Sequence, residues 1–262
     1  MYFQGKTIVI TGATSGIGKA LAFALAKEKA TLLLGARRME LLEETAKACL
    51  DLGATAYIHQ VDMAQPSSIE TFAQWAAIQN GNIDILINNA GIGQRGLAKD
   101  TALDVDRQVM EVNFFGQVAL TKMLLPHLIK SKGHIAVISS LSGLFGWYQR
   151  SAYAASKHAL QGFFETLQLE LPEVSTTIIC PGRIRTEISV NAITGSGGKH
   201  GLMDVGQANG IPADVCAAKI VVAIKNKRKL IVIATSERIL LWFHTYFRPL
   251  FFFLAKRVKA NG

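Results

Sequence analysis

A chain of 262 residues, half of them hydrophobic, has room for one large α/β domain or two small ones and ample material for a buried core. Its net charge of +9 raises nucleic acid as a partner, but most Lys and Arg are spread along helical stretches. The two clusters, 225–229 and 248–259, carry no nucleic-acid module, so that class is set aside. Cys49, Cys180 and Cys216 form no CxxC pair, and the six histidines form no HExxH, so neither a disulfide framework nor a metal site has support. The cysteines read as reduced, buried thiols of a cytoplasmic protein, and no signal peptide is recognised. Residues 1–5, MYFQG, look like the remnant of an engineered protease site and stay outside the fold reasoning.

In chain order, TIVIT (7–11) is an apolar strand that runs into a glycine-rich turn and a helix over 19–29. TLLLGA is a second strand, followed by a helix over 39–52, and AYIHQVD is a third, followed by a helix over 66–79. IDILINNAG, GHIAVISS (133–140), TTIICPG (176–182) and KLIVIA (229–234) complete a set of about seven strands. Strands apolar on both faces belong in a parallel sheet covered by helices on each side. The regular alternation predicts an α/β fold, a single doubly wound domain over residues 6–236. The stretch 187–211, with GSGGKHG inside it, breaks the alternation and is expected to be a long, polar, mobile lid. Residues 237–262 form a C-terminal extension, aromatic and basic-ended.

Chemistry gathers at the strand ends. TGATSGIG (11–18) places Gly12, Gly16 and Gly18, with Thr14, Ser15 and Ile17, where a strand meets a helix N-terminus. Backbone can approach a pyrophosphate there, and unpaired N–H groups can bind it. At the end of the second strand stand Arg37 and Arg38, without the carboxylate that would take a ribose 2′-hydroxyl, so NADP(H) is favoured over NAD(H). Glu40 nearby is the one contrary sign. Asp62, with Met63 beside it, either meets an adenine amine or caps the helix that follows. Asn89, Ala90 and Gly91 of NNAG close the fourth strand, Asn113 is a polar amide in the apolar run MEVNFFG, and Ser140 ends a strand. Tyr153 and Lys157 stand four apart in SAYAASK, one helical turn, where the ammonium would lower the phenol pKa toward working pH.

Together TGATSGIG, NNAG, Asn113, Ser140, YAASK and PGRIRT, in this order and over residues 6 to about 235, resemble the short-chain dehydrogenases/reductases. The resemblance implies a Rossmann-type sheet and hydride transfer between a nicotinamide and a carbonyl or secondary alcohol. It makes Tyr153 the general acid/base, Lys157 the ribose contact, Ser140 the carbonyl partner and Asn113 the holder of a relay water. Pro181, Gly182, Ile184 and Thr186 match the segment that packs on the nicotinamide. Gly93, Leu141, Ser142, Phe145 and Tyr148 are the expected substrate flank, which suggests a lipophilic substrate such as a steroid, retinoid or fatty-acyl ketone. Two alternatives remain: a 3-oxoacyl reductase served by an acidic carrier protein, and an NADP(H)-sensing protein without turnover. The family also implies a homodimer or homotetramer, through helices near 104–129 and 154–170. The C-terminal run, interrupted by His244, Arg248 and Pro249, is too broken to cross a membrane. It suits a membrane surface or plain packing equally.

Overall fold

In the computed structural model, which describes residues 1–257, the strands assemble into one parallel sheet. They are β1 (Thr7–Thr11), β2 (Thr31–Ala36), β3 (Thr55–Gln60), β4 (Ile85–Asn88), β5 (His134–Ile138), β6 (Ser175–Pro181) and β7 (Leu230–Ile233). Their spatial order is β7-β6-β5-β4-β1-β2-β3, every pairing parallel. Chain progression reverses between β1 and β4, and the crevice outside their carboxyl ends is where such sheets hold ligands.

The near-continuous apolar strands follow from burial on both faces. Ile8 and Ile10, Leu32 and Leu34, and Ile85 and Ile87 point to one layer, and Val9, Leu33 and Leu86 to the other. The first layer is completed by α1 (Gly16–Ala26), α2 (Met39–Asp51) and, farther along, α8 (Ala213–Lys225), through Leu21, Leu25, Leu42, Cys216 and Ile220. The second rests on α3 (Pro66–Gln79), α5 (Gly116–Lys130) and α6 (Ser151–Glu170), through Phe72, Leu120, Leu124, Leu160 and Phe164. Between α4 (Leu103–Met110) and α5 the backbone widens into a π-helical turn, Glu111–Phe115.

Three departures from the sequence reading have physical causes. Helix α1 begins at Gly16, three residues early, because the glycine turn is tight enough to start the helix inside the motif. Phe3 is only 1% exposed and packs in the first layer, while Gly5 N donates to Lys29 O, so residues 1–5 are part of the folded structure. The 187–211 stretch is ordered rather than a free lid. Ile193–Thr194 pairs with Gln94–Arg95, Ile184–Arg185 pairs with Ile211–Pro212, and Val205–Ala208 forms a single helical turn, α7.

Helices α9 (Glu237–Tyr246) and α10 (Arg248–Arg257) form a hairpin. One side of it, Leu240, Leu241, Phe243 and Phe251, packs on Leu141 and Phe145 from the loop after β5. On the other side Trp242, Tyr246, Phe247 and Phe252 are exposed.

His134 is buried in β5 with Nε2 2.9 Å from Thr177 Oγ1, and burial, with help from Lys227, lowers its pKa from 6.5 to about 4. Between these values the unfolded chain binds more protons than the folded one, so stability falls as pH drops through that window. Urea unfolding of the wild type is expected to lose about 2 kcal/mol more between pH 7 and pH 5 than His134→Gln does. Parallel losses in the two proteins would contradict this assignment.

Candidate active site

The cleft opens at the carboxyl ends of β1 and β4 and has a volume of about 480 Å³. Its floor depends on two missing side chains. Gly12 has φ +68°, and a Cβ there would sit 2.9 Å from Asn89 Nδ2. A Cβ on Gly18 would run into Gly12 O and Asn89 Nδ2, so α1 can cross the end of β1 only with glycine at this position. Asn89 uses that closeness: Nδ2 donates to Thr11 O (2.8 Å) and to Gly12 O (3.2 Å). Asn89 N and Ala90 N both donate to Thr11 Oγ1 at 3.1 Å. No side chain caps the first turn of α1, whose Ser15, Gly16 and Ile17 line the cleft. An uncapped N-terminus over a glycine turn fits a diphosphate.

At one end of the cleft lie Ala36, Arg37 and Arg38, with Arg38 Nη2 donating to Thr14 Oγ1 at 3.3 Å. Asp62 and Met63 line the cleft as well. Asp62 Oδ1 accepts from Ala64 N (3.0 Å), while α3 starts at Pro66 with Gln65 at its cap, so Asp62 does not cap that helix. Pro181, Gly182, Ile184 and Thr186 line the cleft beyond the glycine turn, with Thr186 Cγ2 3.1 Å from the place a Gly16 Cβ would take.

At the cleft's chemical centre, Ser140 ends the β5 connection and Tyr153 and Lys157 project from the first turns of α6. The Ser140 hydroxyl and the Tyr153 phenol share the cleft wall, and Ser140 favours the charged form of the phenol. Burial raises the Tyr153 pKa above its ordinary 10, opposed by the Arg150 charge and then by Ser140. Lys157 faces the Tyr153 ring from one turn away. Its Nζ donates to Ile138 O at 2.8 Å and lies 5.8 Å from the Tyr153 ring centre, and burial lowers its pKa to about 8, with Cys180 pulling the other way.

Asn113 sits in the π-helical turn with no exposed surface and does not line the cleft. Oδ1 accepts from Ile92 N (2.8 Å), and Nδ2 donates to Ile92 O (3.0 Å) and Ser156 Oγ (3.0 Å). Ser156 in turn donates to Tyr153 O at 2.8 Å. Asn113 thus braces the rim after β4 against α6, and its amide is engaged at both ends.

Of the expected substrate flank, only Gly93 lines the cleft. Leu141, Ser142 and Phe145 are buried, and Tyr148 is 48% exposed beside a separate small cavity. The α9–α10 hairpin is the reason, because Phe251 packs edge-on against Phe145 and draws that loop away. Instead the cleft is walled by Glu187, Ile188, Asn191, Lys199 and Gln207 of the 187–211 stretch.

Two further features had no sequence signal. Glu237 is buried, accepting from Arg183 N (3.2 Å), Thr235 N (3.0 Å) and Thr235 Oγ1 (2.9 Å). Burial pushes its pKa up, but hydrogen bonds from its own backbone, Thr235 and Arg183 outweigh that and hold it below the ordinary value. The C-terminal hairpin is thereby pinned to the segment after β6. The other feature is Asp204, on which Arg95 and Arg150 converge.

Known proteins share this arrangement. The sequence pattern of the short chain dehydrogenase family matches residues 6–196. A Drosophila melanogaster protein named "Dehydrogenase/reductase SDR family protein 7-like" is 40% identical over 262 residues, 97% of this chain and 80% of that one. An alcohol dehydrogenase from the archaeon Thermococcus sibiricus, complexed with 5-hydroxy-NADP, superposes with a TM-score of 0.78 at 26% identity, covering 88% of this chain and 97% of that one. A short-chain dehydrogenase/reductase from Burkholderia phymatum, in complex with NAD, shares the fold with a TM-score of 0.85 at 24% identity over 95% and 96% of the two chains. With the glycine cradle, the Ser140–Tyr153 pair and the reversed strand order in place, the chain belongs to the short-chain dehydrogenases/reductases, oxidoreductases built on a Rossmann-type nucleotide-binding sheet.

Proposed function

We propose that this protein is an NADP(H)-dependent reductase of a lipophilic ketone, running in reverse as a secondary-alcohol dehydrogenase. The observation that carries the reading is a single cleft with Arg37 and Arg38 at one place on its wall and the Ser140–Tyr153 pair at another. Gly12, Thr14, Ser15, Gly16, Ile17 and Gly18 would hold the diphosphate, Arg37 and Arg38 a 2′-phosphate, and Asp62 and Met63 the adenine. Asn89, Ala90, Gly91 and Lys157 would support the nicotinamide ribose, with Pro181, Gly182, Ile184 and Thr186 on the ring. When bound, the nicotinamide supplies or accepts the hydride.

The chain's own residues handle the proton. A buried phenol whose pKa is raised stays protonated at neutral pH, so Tyr153 is set to give its proton to the substrate oxygen in reduction. Ser140 steadies that oxygen from the same side. In oxidation the proton passes back to Tyr153, which then needs a cation close by. Asn113 would brace the rim after β4 against α6 through Ile92 and Ser156. Ile92, Val112 and Ile188 on the cleft wall favour an apolar substrate body.

The C-terminal hairpin serves two surfaces in this reading. Its buried side packs on the domain, while Ile239, Trp242, Tyr246, Phe247 and Phe252 are each more than half exposed. No helix among the described residues is long and apolar enough to cross a membrane, and an aromatic face of this kind rests on the membrane surface, near where a lipophilic substrate resides. The basic close of the extension, Lys256, Arg257 and Lys259, lies outside the described side chains. A second copy of the chain would dock on α4–α6, where Leu103, Phe115, Met123 and Leu169 are exposed.

Three outcomes test these statements. Following NADPH oxidation with 2-decanone, benzil and a steroid 3-ketone, Tyr153→Phe should lose about 10²–10⁴-fold in rate against the wild type. Turnover that survives the change, or wild-type binding of NADPH without turnover of any ketone, overturns the reading. Arg37→Asp should shift the preference for NADPH over NADH by about tenfold or more toward NADH, and an unchanged ratio would remove Arg37 from the 2′-phosphate. The double change Trp242→Ser with Phe247→Ser should reduce pelleting with anionic liposomes while leaving the melting temperature near wild type. Unaltered pelleting contradicts the membrane contact. Truncation after Ser236 is a poorer test, since it removes the Glu237 brace as well.

A further inference from the structure

Arg150 stands at the N-cap of α6, three residues before Tyr153, with its guanidinium carbon 5.7 Å from the Tyr153 ring centre. Its Nη2 donates to Asp204 Oδ2 at 2.7 Å, and Arg95 Nη2 pairs with the same oxygen. All three side chains are buried, with 9–11% of their surface exposed. Asp204 belongs to the 187–211 stretch that walls the cleft, while Arg95 follows β4. Two guanidinium groups on one carboxylate leave a net positive charge beside the phenol. A purely structural staple needs one arginine, and burying a second, with Arg95 Nε and Nη1 finding no partner among the described residues, is costly. A positive charge retained at that cost, against the group that changes protonation during turnover, has a use there.

We propose that Arg150 is a positioning residue for the Tyr153 proton, and that Asp204 makes its placement depend on the 187–211 stretch being seated over the cleft. The inference rests on the reading of Tyr153 as proton donor and acceptor. With the stretch seated as it is, Asp204 pairs with Arg150 and Arg95 and holds the guanidinium against the ring, where its charge stabilises phenolate. The electrostatics agree: the Arg150 charge is the first influence opposing burial at Tyr153, and Lys157, whose Nζ lies 5.8 Å from the ring centre and donates to Ile138 O, is the second cation beside it. Lys157 on α6 and Ser140 after β5 also flank the phenol, Cys180 on β6 lies beside Lys157, and Glu187 and Lys199 line the same cleft.

The test is an ultraviolet titration of phenolate in the full chain saturated with NADP⁺, carried from neutral pH upward through the raised phenol step, taking wild type minus Tyr153→Phe to isolate Tyr153. Arg150→Gln should move that step up by about 0.5–1 pH unit, and Arg150→Lys, which keeps the charge, should return it most of the way. In an Asp204→Asn background, Arg150→Gln should shift it much less. Limited proteolysis should also cut the 195–198 glycine tip faster in Asp204→Asn, and melting temperatures identify any variant that fails to fold. A step that stays put in Arg150→Gln, one that moves equally in both backgrounds, or no step at all overturns the proposal. Loss of turnover in Tyr153→Phe with an unmoved Arg150→Gln step would remove Arg150 while leaving the catalytic reading intact.

Discussion

The structure depends on one close approach, that of α1 to the carboxyl end of β1. Gly18 has no side chain, so the Asn89 carboxamide can reach the carbonyls of Thr11 and Gly12 together. Those bonds tie the β4 rim to the glycine turn and set the cleft's width. Everything placed at the strand ends takes its position from that frame, from the uncapped helix N-terminus to Arg37 and Arg38. A methyl group at position 18 would push α1 off its own strand, and overpacking of this sort typically costs about 1–3 kcal/mol. The loss would fall where the nucleotide has to sit.

The second element of the frame is α6. Tyr153, Ser156 and Lys157 are all buried on one side of it, and Asn113 holds that side to the rim through Ser156 and Ile92. Burial is what gives these groups their character. It raises the phenol pKa and lowers that of the ammonium, so the pair at rest is closer to neutral than the same two side chains in water. In the proposed reading such a site is ready to donate a proton and needs additional positive charge before it can accept one. The Arg150–Asp204–Arg95 cluster provides such charge from a part of the chain that also covers the cleft.

Much of this was legible in the sequence because the periodic and stereochemical demands are strong. The apolar central strands, TGATSGIG and YAASK can hardly be arranged otherwise, and α3 spans the residues expected for it, Pro66–Gln79. What the sequence could not convey were partnerships between distant positions. Nothing in the GSGGKHG stretch marks Asp204 as the acceptor for two buried arginines 54 and 109 residues earlier in the chain. Glu237 carried no signal in the sequence, yet it accepts from the backbone of Arg183. Phe145 and Leu141 were expected beside a substrate because they follow Ser140, but the hairpin competes for them and wins through Phe251. Phe3 was set aside with its neighbours as part of a protease-site remnant, and it fills a place in the core.

The account turns on hydride leaving one defined place in the cleft while the proton passes through Tyr153. The most direct measurement is mass spectrometry of the alcohol formed from a ketone with NADPH deuterated separately on each face of nicotinamide C4. The account predicts one deuterium on the carbinol carbon from one labelled form and none from the other. Label transferred from both faces, or carbinol hydrogen drawn from solvent, would contradict it.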